Sequence, residues 1–232
     1  MPTPPTSPIP IIGGTGALGF GLAVRWARAG RPIVIGSRSP ERAAEAADRV
    51  RGTAPGGAVE GAENAEAARR GEIVFLTVPF RAQSETLQNL REALAPGQIL
   101  VDSTVPTAAA VSGKATRLLG VWQGSAAEQA QEMVPDGVTV VSALHTVSAP
   151  TLADGDDPLD EDVLVCGARH ADKARVAELV ELIPGLRAVN AGPLEAARIV
   201  EGLTPLLISI NARYRSRAGI RVTGLPAASH WG

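Results

Sequence analysis

Gly14-Thr15-Gly16-Ala17-Leu18-Gly19 have the residue types and spacing to hold a diphosphate against bare backbone. The apolar run Pro10-Ile11-Ile12 precedes them, and an Ala/Leu/Val segment of helical length, residues 17–29, follows. In that strand–turn–helix setting the first glycine permits the tight turn and the second lets the backbone approach a pyrophosphate. The third lets helix and strand pack closely, while unpaired N–H groups at the helix start face the phosphates. Pro10 is awkward, because it removes one donor from a strand expected at the sheet centre; the difficulty goes if it opens the strand.

A second chemical signal stands at the end of the next apolar run, Pro32-Ile33-Val34-Ile35. An NAD site needs a carboxylate there to hold the ribose 2′-hydroxyl. This chain has Gly36-Ser37-Arg38 instead. A guanidinium pairs well with a dianionic 2′-phosphate, Ser37 adds a hydroxyl donor, and Arg42 lies one helical turn on. These residues point to NADP(H), not NAD. Thr77-Val78-Pro79-Phe80 follow a later strand, where carboxyl ends line the ligand crevice; Val78 and Pro79 are expected beside the nicotinamide ribose. Phe80 fits the crevice or the core equally.

The elements that must position these groups alternate. Strands are expected at 32–35, 58–61, 73–78 and 99–102, with helices at 40–51, from about 62 to 70, and at 81–94. The helix at 40–51 starts with a tolerated proline after Ser39 or Arg38 as cap. Short links between alternating strands and helices imply a doubly wound parallel sheet of the α/β class. The second half is less regular: helices at 125–133, 171–183 and 194–212, strands at 138–144, 163–166 and 187–189. Asp154-Gly-Asp-Asp-Pro158 reads as a solvated turn in preference to a metal site. The expected organisation is a flexible tail over 1–8, an NADP-binding Rossmann domain over 9–135, and a smaller C-terminal α/β lobe over 136–232 forming a second-substrate pocket.

Composition excludes several classes. The net charge of −2 leaves no global field for nucleic acid or anionic membrane. Cys166 is the single cysteine, so an intrachain disulfide is excluded. The Pro/Thr/Ser start does not resemble a signal peptide, no apolar stretch reaches membrane-spanning length, and a cytoplasmic location is expected. Tyr214 is the lone tyrosine and has Ala218 four residues on, where a short-chain dehydrogenase needs lysine. A long helical substrate domain of the 6-phosphogluconate type does not fit after Thr104. His145, His170 and His230 are far apart, no zinc spacing occurs, and no Ser or Cys elbow is present. The site need contain no proton-transferring residue and no metal.

Four motifs in order resemble one family. Gly-Gly-Thr-Gly-x-Leu-Gly at 13–19, Gly-Ser-Arg at 36–38, Ser-Ala-Leu-His-Thr at 142–146 and Gly-Leu-Thr-Pro-Leu-Leu at 202–207 are similar to the F420H2:NADP oxidoreductases, over residues 9 to 225. The resemblance implies hydride transfer between NADP and the 8-hydroxy-5-deazaflavin coenzyme F420, passing from C5 to nicotinamide C4 with the rings stacked and water excluded. It implies that Thr15, Ser37 and Arg38 hold NADP. His145, Thr146 and Val147 would lie beside the deazaflavin, with Thr204, Pro205 and Leu207 completing its pocket. It further implies a homodimer. The chain departs from the family pattern at Ala17, usually acidic or amide, and at Val147-Ser148, usually Ile-Pro. Both lie near ligands, so two alternatives stay open: an NADPH-dependent reductase of an imine or carbonyl compound, and a non-catalytic NADPH-binding module. Arg213, Arg215, Arg217 and Arg221 are either a solvated face, a dimer contact or an attractor for the coenzyme's anionic tail.

Overall fold

Strands apolar on both faces need cover on both sides, and the chain supplies it by alternating them with helices. The computed structural model describes residues 7–153, 157–226 and 231. The first half runs β1 (Ile9–Ile12), α1 (Ala17–Arg28), β2 (Ile33–Ser37), α2 (Pro40–Thr53), β3 (Val59–Glu63), α3 (Asn64–Ala68), β4 (Ile73–Leu76), α4 (Gln83–Leu90) and β5 (Ile99–Asp102). The second half continues with α5 (Ala126–Met133), β6 (Thr139–Ser142), α6 (Ala149–Ala153), β7 (Glu161–Gly167), α7 (His170–Glu181), β8 (Leu186–Gly192) and α8 (Ala197–Tyr214). All eight strands form one sheet in the order β3-β2-β1-β4-β5-β6-β7-β8. Every pairing is parallel except that of β6 with β7. The doubly wound α/β class expected from the sequence is therefore the observed one, and the C-terminal strands extend the first sheet.

Two apolar layers sandwich the sheet. On one face Ile9, Ile11 and Phe75 meet Leu22 and Trp26 of α1, Ala46 and Val50 of α2, and Val176 and Val180 of α7. On the other, Ile12, Val74 and Leu76 meet Ala67 of α3, Leu87 and Leu90 of α4, Ala127 of α5 and Val200 of α8. Trp26 is fully buried, tilts against Phe75 with ring centroids 4.5 Å apart, and donates its indole N–H to the Leu179 carbonyl at 2.7 Å.

Pro10 occupies the second position of β1, not the first, yet its missing N–H costs no ladder bond. The Ile9 amide faces β2, donating to the Pro32 carbonyl at 2.8 Å, so position 10 faces β4. Pairing with β4 begins only at Ile11. Gly71 makes room for the proline ring, since a Cβ there would lie 2.5 Å from Pro10 Cδ.

Several boundaries differ from expectation. β2 extends through Gly36 and Ser37, paired with Ala62 and Glu63 of β3, so Arg38 lies immediately past the strand. The helix expected over 81–94 is interrupted: a 3-10 turn covers Phe80–Ala82 and α4 ends at Leu90. α8 likewise begins after a 3-10 turn at Leu194–Ala196 and runs on through Pro205 to Tyr214. The short helix α6 had no sequence signature. It packs on α1, where a Cβ at Gly21 would sit 2.6 Å from Leu152 Cβ, and the Arg25 guanidinium ties it down by donating to the carbonyls of Leu152, Thr151 and Asp157 at 2.9–3.0 Å. Residues 154–156 of the acidic stretch, residues 1–6 of the tail, and His230 lie outside the described residues.

Candidate active site

The strand order reverses between β1 and β4, and their carboxyl ends diverge there, which is where open α/β sheets bind ligands. The turn after β1 is drawn against the end of β4. Gly13 has φ +77°, and a Cβ there would lie 2.7 Å from Val78 Cγ1, so this position demands glycine. The sequence pattern assigns the tight turn to Gly14. The structure assigns the left-handed residue to Gly13, and Gly14 is small for another reason: its Cβ would press on the Ile11 carbonyl at 2.9 Å. The third fingerprint glycine behaves as expected, since a Cβ at Gly19 would lie 2.6 Å from Thr77 Oγ1 and 2.7 Å from Gly14 Cα.

Gly16 caps α1 without any side-chain hydrogen bond. Phe20 makes the first bond back to the Gly16 carbonyl at 2.8 Å, so the amides of Ala17, Leu18 and Gly19 precede the helical ladder. They form an opening for anionic oxygen at the positive end of the helix dipole.

Two clefts meet at this turn. The first, about 390 Å³, is walled by Gly13, Thr15, Gly16, Ser37, Arg38, Arg42, Asn64, Val78 and Pro79 among others. No Asp or Glu lines it. Arg38 and Arg42 are exposed, and their guanidinium groups make no hydrogen bond or ion pair among the described residues. Ser37 is buried, its hydroxyl accepting from the Ser39 amide at 3.3 Å, while Ser39 caps α2 by accepting from the Arg42 amide at 3.2 Å. Asn64 was not anticipated from sequence. It is buried, and its Oδ1 has no partner.

The second cleft, about 560 Å³, shares Gly16, Thr77, Val78 and Pro79 with the first. It is further walled by Ala17, Leu18, Phe80, Arg81, Ser103, Thr104, residues of the 105–110 segment, His145, Thr204 and Ile208. Val78 and Pro79 therefore sit at the junction, and Phe80, half-buried, belongs to the crevice. Of the residues implied for the deazaflavin pocket, the structure brings His145 and Thr204 to this wall. Thr146, Val147, Pro205 and Leu207 are buried and do not line it; Val147 packs in the core with Leu144 and Leu152. Ile208, one turn beyond Thr204 on α8, lines it instead.

His145 is delivered by a strained turn. Leu144 has φ +70°, a left-handed conformation costing a non-glycine residue about 1–3 kcal/mol. The Thr204 hydroxyl donates to the His145 carbonyl at 2.9 Å and clamps the turn to α8. His145 is 6% exposed, and neither ring nitrogen has a hydrogen-bond partner. Burial lowers its pKa to about 4, so at neutral pH the imidazole is uncharged, with one N–H and one lone pair to offer.

Behind Thr104 lies a buried acidic network with no local sequence signature. Asp102, at the end of β5, accepts from the Thr104 amide at 2.8 Å and from Gln83 Nε2 of α4 at 2.6 Å. Glu201 of α8, 1% exposed, accepts from the first amides of α5, Ala126 at 3.0 Å and Ala127 at 3.1 Å. Gln83 joins the two by also donating to the Ala126 carbonyl at 2.9 Å. Burial raises Asp102 to about 6 against its hydrogen bonds to Thr104 and Gln83. Burial pushes Glu201 to about 8, opposed by the two amides and aided by the charges of Asp102 and Glu128. The sequence offers no signal for Glu201, whose partners lie 74 and 75 residues away.

Arg213, Arg215, Arg217 and Arg221 line neither cleft. Arg221 pairs with Asp160 at 3.1 Å and Asp162 at 3.2 Å, beside the Arg187–Asp162 pair, so it fastens the 218–226 segment across β7.

Fold and site together define a Rossmann-type dinucleotide oxidoreductase with a second ligand cleft abutting the nucleotide cleft. The sequence pattern of the family described as NADP oxidoreductase, coenzyme F420-dependent, matches residues 8–106. An F420-dependent NADP reductase of Methanothermobacter marburgensis is 45% identical over 223 residues, covering 94% of this chain and 99% of that protein. The F420-dependent NADP reductase of Methanocaldococcus jannaschii is 43% identical over 222 residues, covering 94% and 98%. A provisionally assigned F420-dependent NADP reductase from Arthrobacter sp. FB24 superposes with a TM-score of 0.76 at 27% identity, covering 91% of this chain and 96% of that one. The chain belongs to the F420-dependent NADP reductase family. An imine reductase from Bacillus cereus, 17% identical with a TM-score of 0.59, shares the fold alone.

The network predicts a pH effect. Glu201 binds its proton more tightly when folded (about 8) than when unfolded (near 4.5), so its contribution is complete at low pH and is lost as pH rises through about 8. Melting temperatures measured from pH 5 to pH 8 should therefore fall more steeply for the wild type than for Glu201→Gln, which cannot ionise. Parallel curves would show that Glu201 does not hold a proton in the folded state.

Proposed function

We propose that this protein exchanges a hydride between NADP(H) and coenzyme F420, with the nucleotide in the first cleft and the deazaflavin in the second. The observation that carries the reading is the junction itself: a carboxylate-free cleft with two unpartnered guanidiniums opens at Gly16, Thr77, Val78 and Pro79 into a nearly neutral cleft holding His145. Family membership names the two coenzymes as the partners that fit. When bound, they supply the chemistry, a hydride passing directly between deazaflavin C5 and nicotinamide C4.

The chain's residues bind, orient and exclude water. Gly14 and Gly16, whose own amides are taken within the turn, shape the loop that leaves the amides of Thr15, Ala17, Leu18 and Gly19 at the open α1 terminus for the pyrophosphate. Ser37, Arg38 and Arg42 receive the ribose 2′-phosphate, with charge-assisted bonds from the guanidiniums. Val78 and Pro79 form the floor on which the two ligands meet. His145, neutral and unpartnered, offers a hydrogen bond to the polar edge of the second ring system, and Thr204 holds it there. Thr146, Val147, Pro205 and Leu207 act from behind, packing the turn and helix that carry these groups. Direct transfer needs no side-chain acid or base, and the cleft's hydroxyls with a neutral imidazole suit that requirement. On this division residues 9–135 serve the nucleotide and residues 136–232 complete the second pocket.

The active species is a homodimer joined through α8. Ile199, Leu203, Leu206, Ile210 and Tyr214 fall four, three, four and four residues apart, the spacing of one helical stripe. Ile199, Leu206 and Tyr214 are 66%, 54% and 72% exposed, so the face lacks cover in one copy.

Stopped-flow mixing of NADPH with oxidised F420 should bleach the deazaflavin absorbance at a saturable rate. Tight NADPH binding without bleaching would instead favour an imine or carbonyl reductase, and binding without turnover of any acceptor a non-catalytic module. Arg38→Ala should weaken NADP by ~1.5–3 kcal/mol while leaving NAD almost unchanged, because only the 2′-phosphate loses its partner; equal losses by calorimetry would refute that role. Leu206→Glu should yield a monomer by light scattering, whereas an unchanged dimer would place the interface elsewhere.

A further inference from the structure

The second cleft carries one formal charge. Arg81 is the only basic side chain among its wall residues, and no Asp or Glu lines it. The remaining polar groups are hydroxyls and the uncharged ring of His145. Arg81 stands in the 3-10 turn between β4 and α4, exposed to solvent. Its guanidinium makes no hydrogen bond or ion pair among the described residues, even though Glu85 lies one turn on. Arg25, Arg51, Arg187 and Arg221, by contrast, all hold carbonyls or carboxylates.

The position does not help the fold locally. Arg81 precedes the start of α4, where a cation is disfavoured by the helix dipole. The same arrangement raises the positive potential at the cleft mouth, with the dipole and the guanidinium acting together on an anion. Arg81 does not wall the first cleft, where Arg38 and Arg42 stand, so its charge is directed at the second ligand.

We propose that Arg81 is a specificity-determining residue that pairs with an anionic group on the side chain of the second substrate, remote from its reacting ring. The cleft then prefers a deazaflavin with an acidic tail over the same ring with a neutral one. This rests on the F420 reading above and deepens it, since the ring is read by His145 and the tail by Arg81.

Equilibrium titration of deazaflavin fluorescence tests it without turnover. The two probes are F420, whose tail is anionic, and the tail-less 8-hydroxy-5-deazariboflavin. Wild type should bind F420 more tightly, and Arg81→Gln should reduce that preference about tenfold at low salt, as expected for one lost charge-assisted pairing. Arg81→Glu should reduce it further, while the dissociation constants of the tail-less ring and of NADP stay within about twofold in both variants. An unaltered preference, an equal loss for both deazaflavins, or a weakened NADP site would each overturn the assignment of Arg81. If wild type binds neither deazaflavin, the F420 reading itself falls and this one with it. That outcome is distinct from binding of both probes with an unaltered preference.

Discussion

Thr77 donates both its backbone amide and its hydroxyl to the Ile12 carbonyl, at 2.9 and 3.0 Å, clasping the end of β4 to the end of β1. That clasp leaves so little room that Gly13 and Gly19 on the facing turn cannot carry a Cβ without meeting Val78 or Thr77. Because the turn is held against β4, the first amides of α1 and the Val78-Pro79 corner occupy the same small volume. The first cleft therefore runs up to that corner, and the second cleft opens on its far side.

Charge is then distributed by cleft. The guanidiniums of Arg38 and Arg42, without partners among the described residues, edge the first cleft, which no carboxylate lines. The second cleft carries a single charge, the exposed guanidinium of Arg81, among threonine and serine hydroxyls and an imidazole, His145, kept neutral by burial. Burial works for this purpose because an imidazole cut off from water cannot easily take a second proton at pH 7. The cost is stored in the left-handed Leu144 and in the orphaned nitrogens of His145.

α8 connects that neutral wall to the rest of the molecule. Thr204 and Ile208 face the cleft, Glu201 one turn earlier caps α5, and Gln83 relays the connection to Asp102 and Thr104 on the opposite wall. The two walls of the second cleft are thereby fastened to one buried hydrogen-bonded unit, in which desolvation outweighs the hydrogen bonds and raises both acids, Asp102 to about 6 and Glu201 to about 8.

The strand–helix alternation, the glycine turn and the carboxylate-free Gly36-Ser37-Arg38 end were legible in the sequence because each is a local matter. Periodicity, turn chemistry and the presence or absence of a charge at a strand end depend on residues within one supersecondary unit. The motifs around His145 and Thr204 were legible only through their likeness to a family. Tertiary structure alone decided that Gly13, not Gly14, bears the left-handed turn, and that β6, β7 and β8 extend the first sheet. It also decided which members of the 145–147 and 204–207 motifs reach the cleft and which pack behind it. Glu201 has its partners 74 and 75 residues away, and Asp102 shares Gln83 with them, so no window of sequence contains that network. Side-chain orientation at a site built from four strand ends and one distant helix is set by packing against non-local neighbours, and that information exists only once the chain has closed on itself.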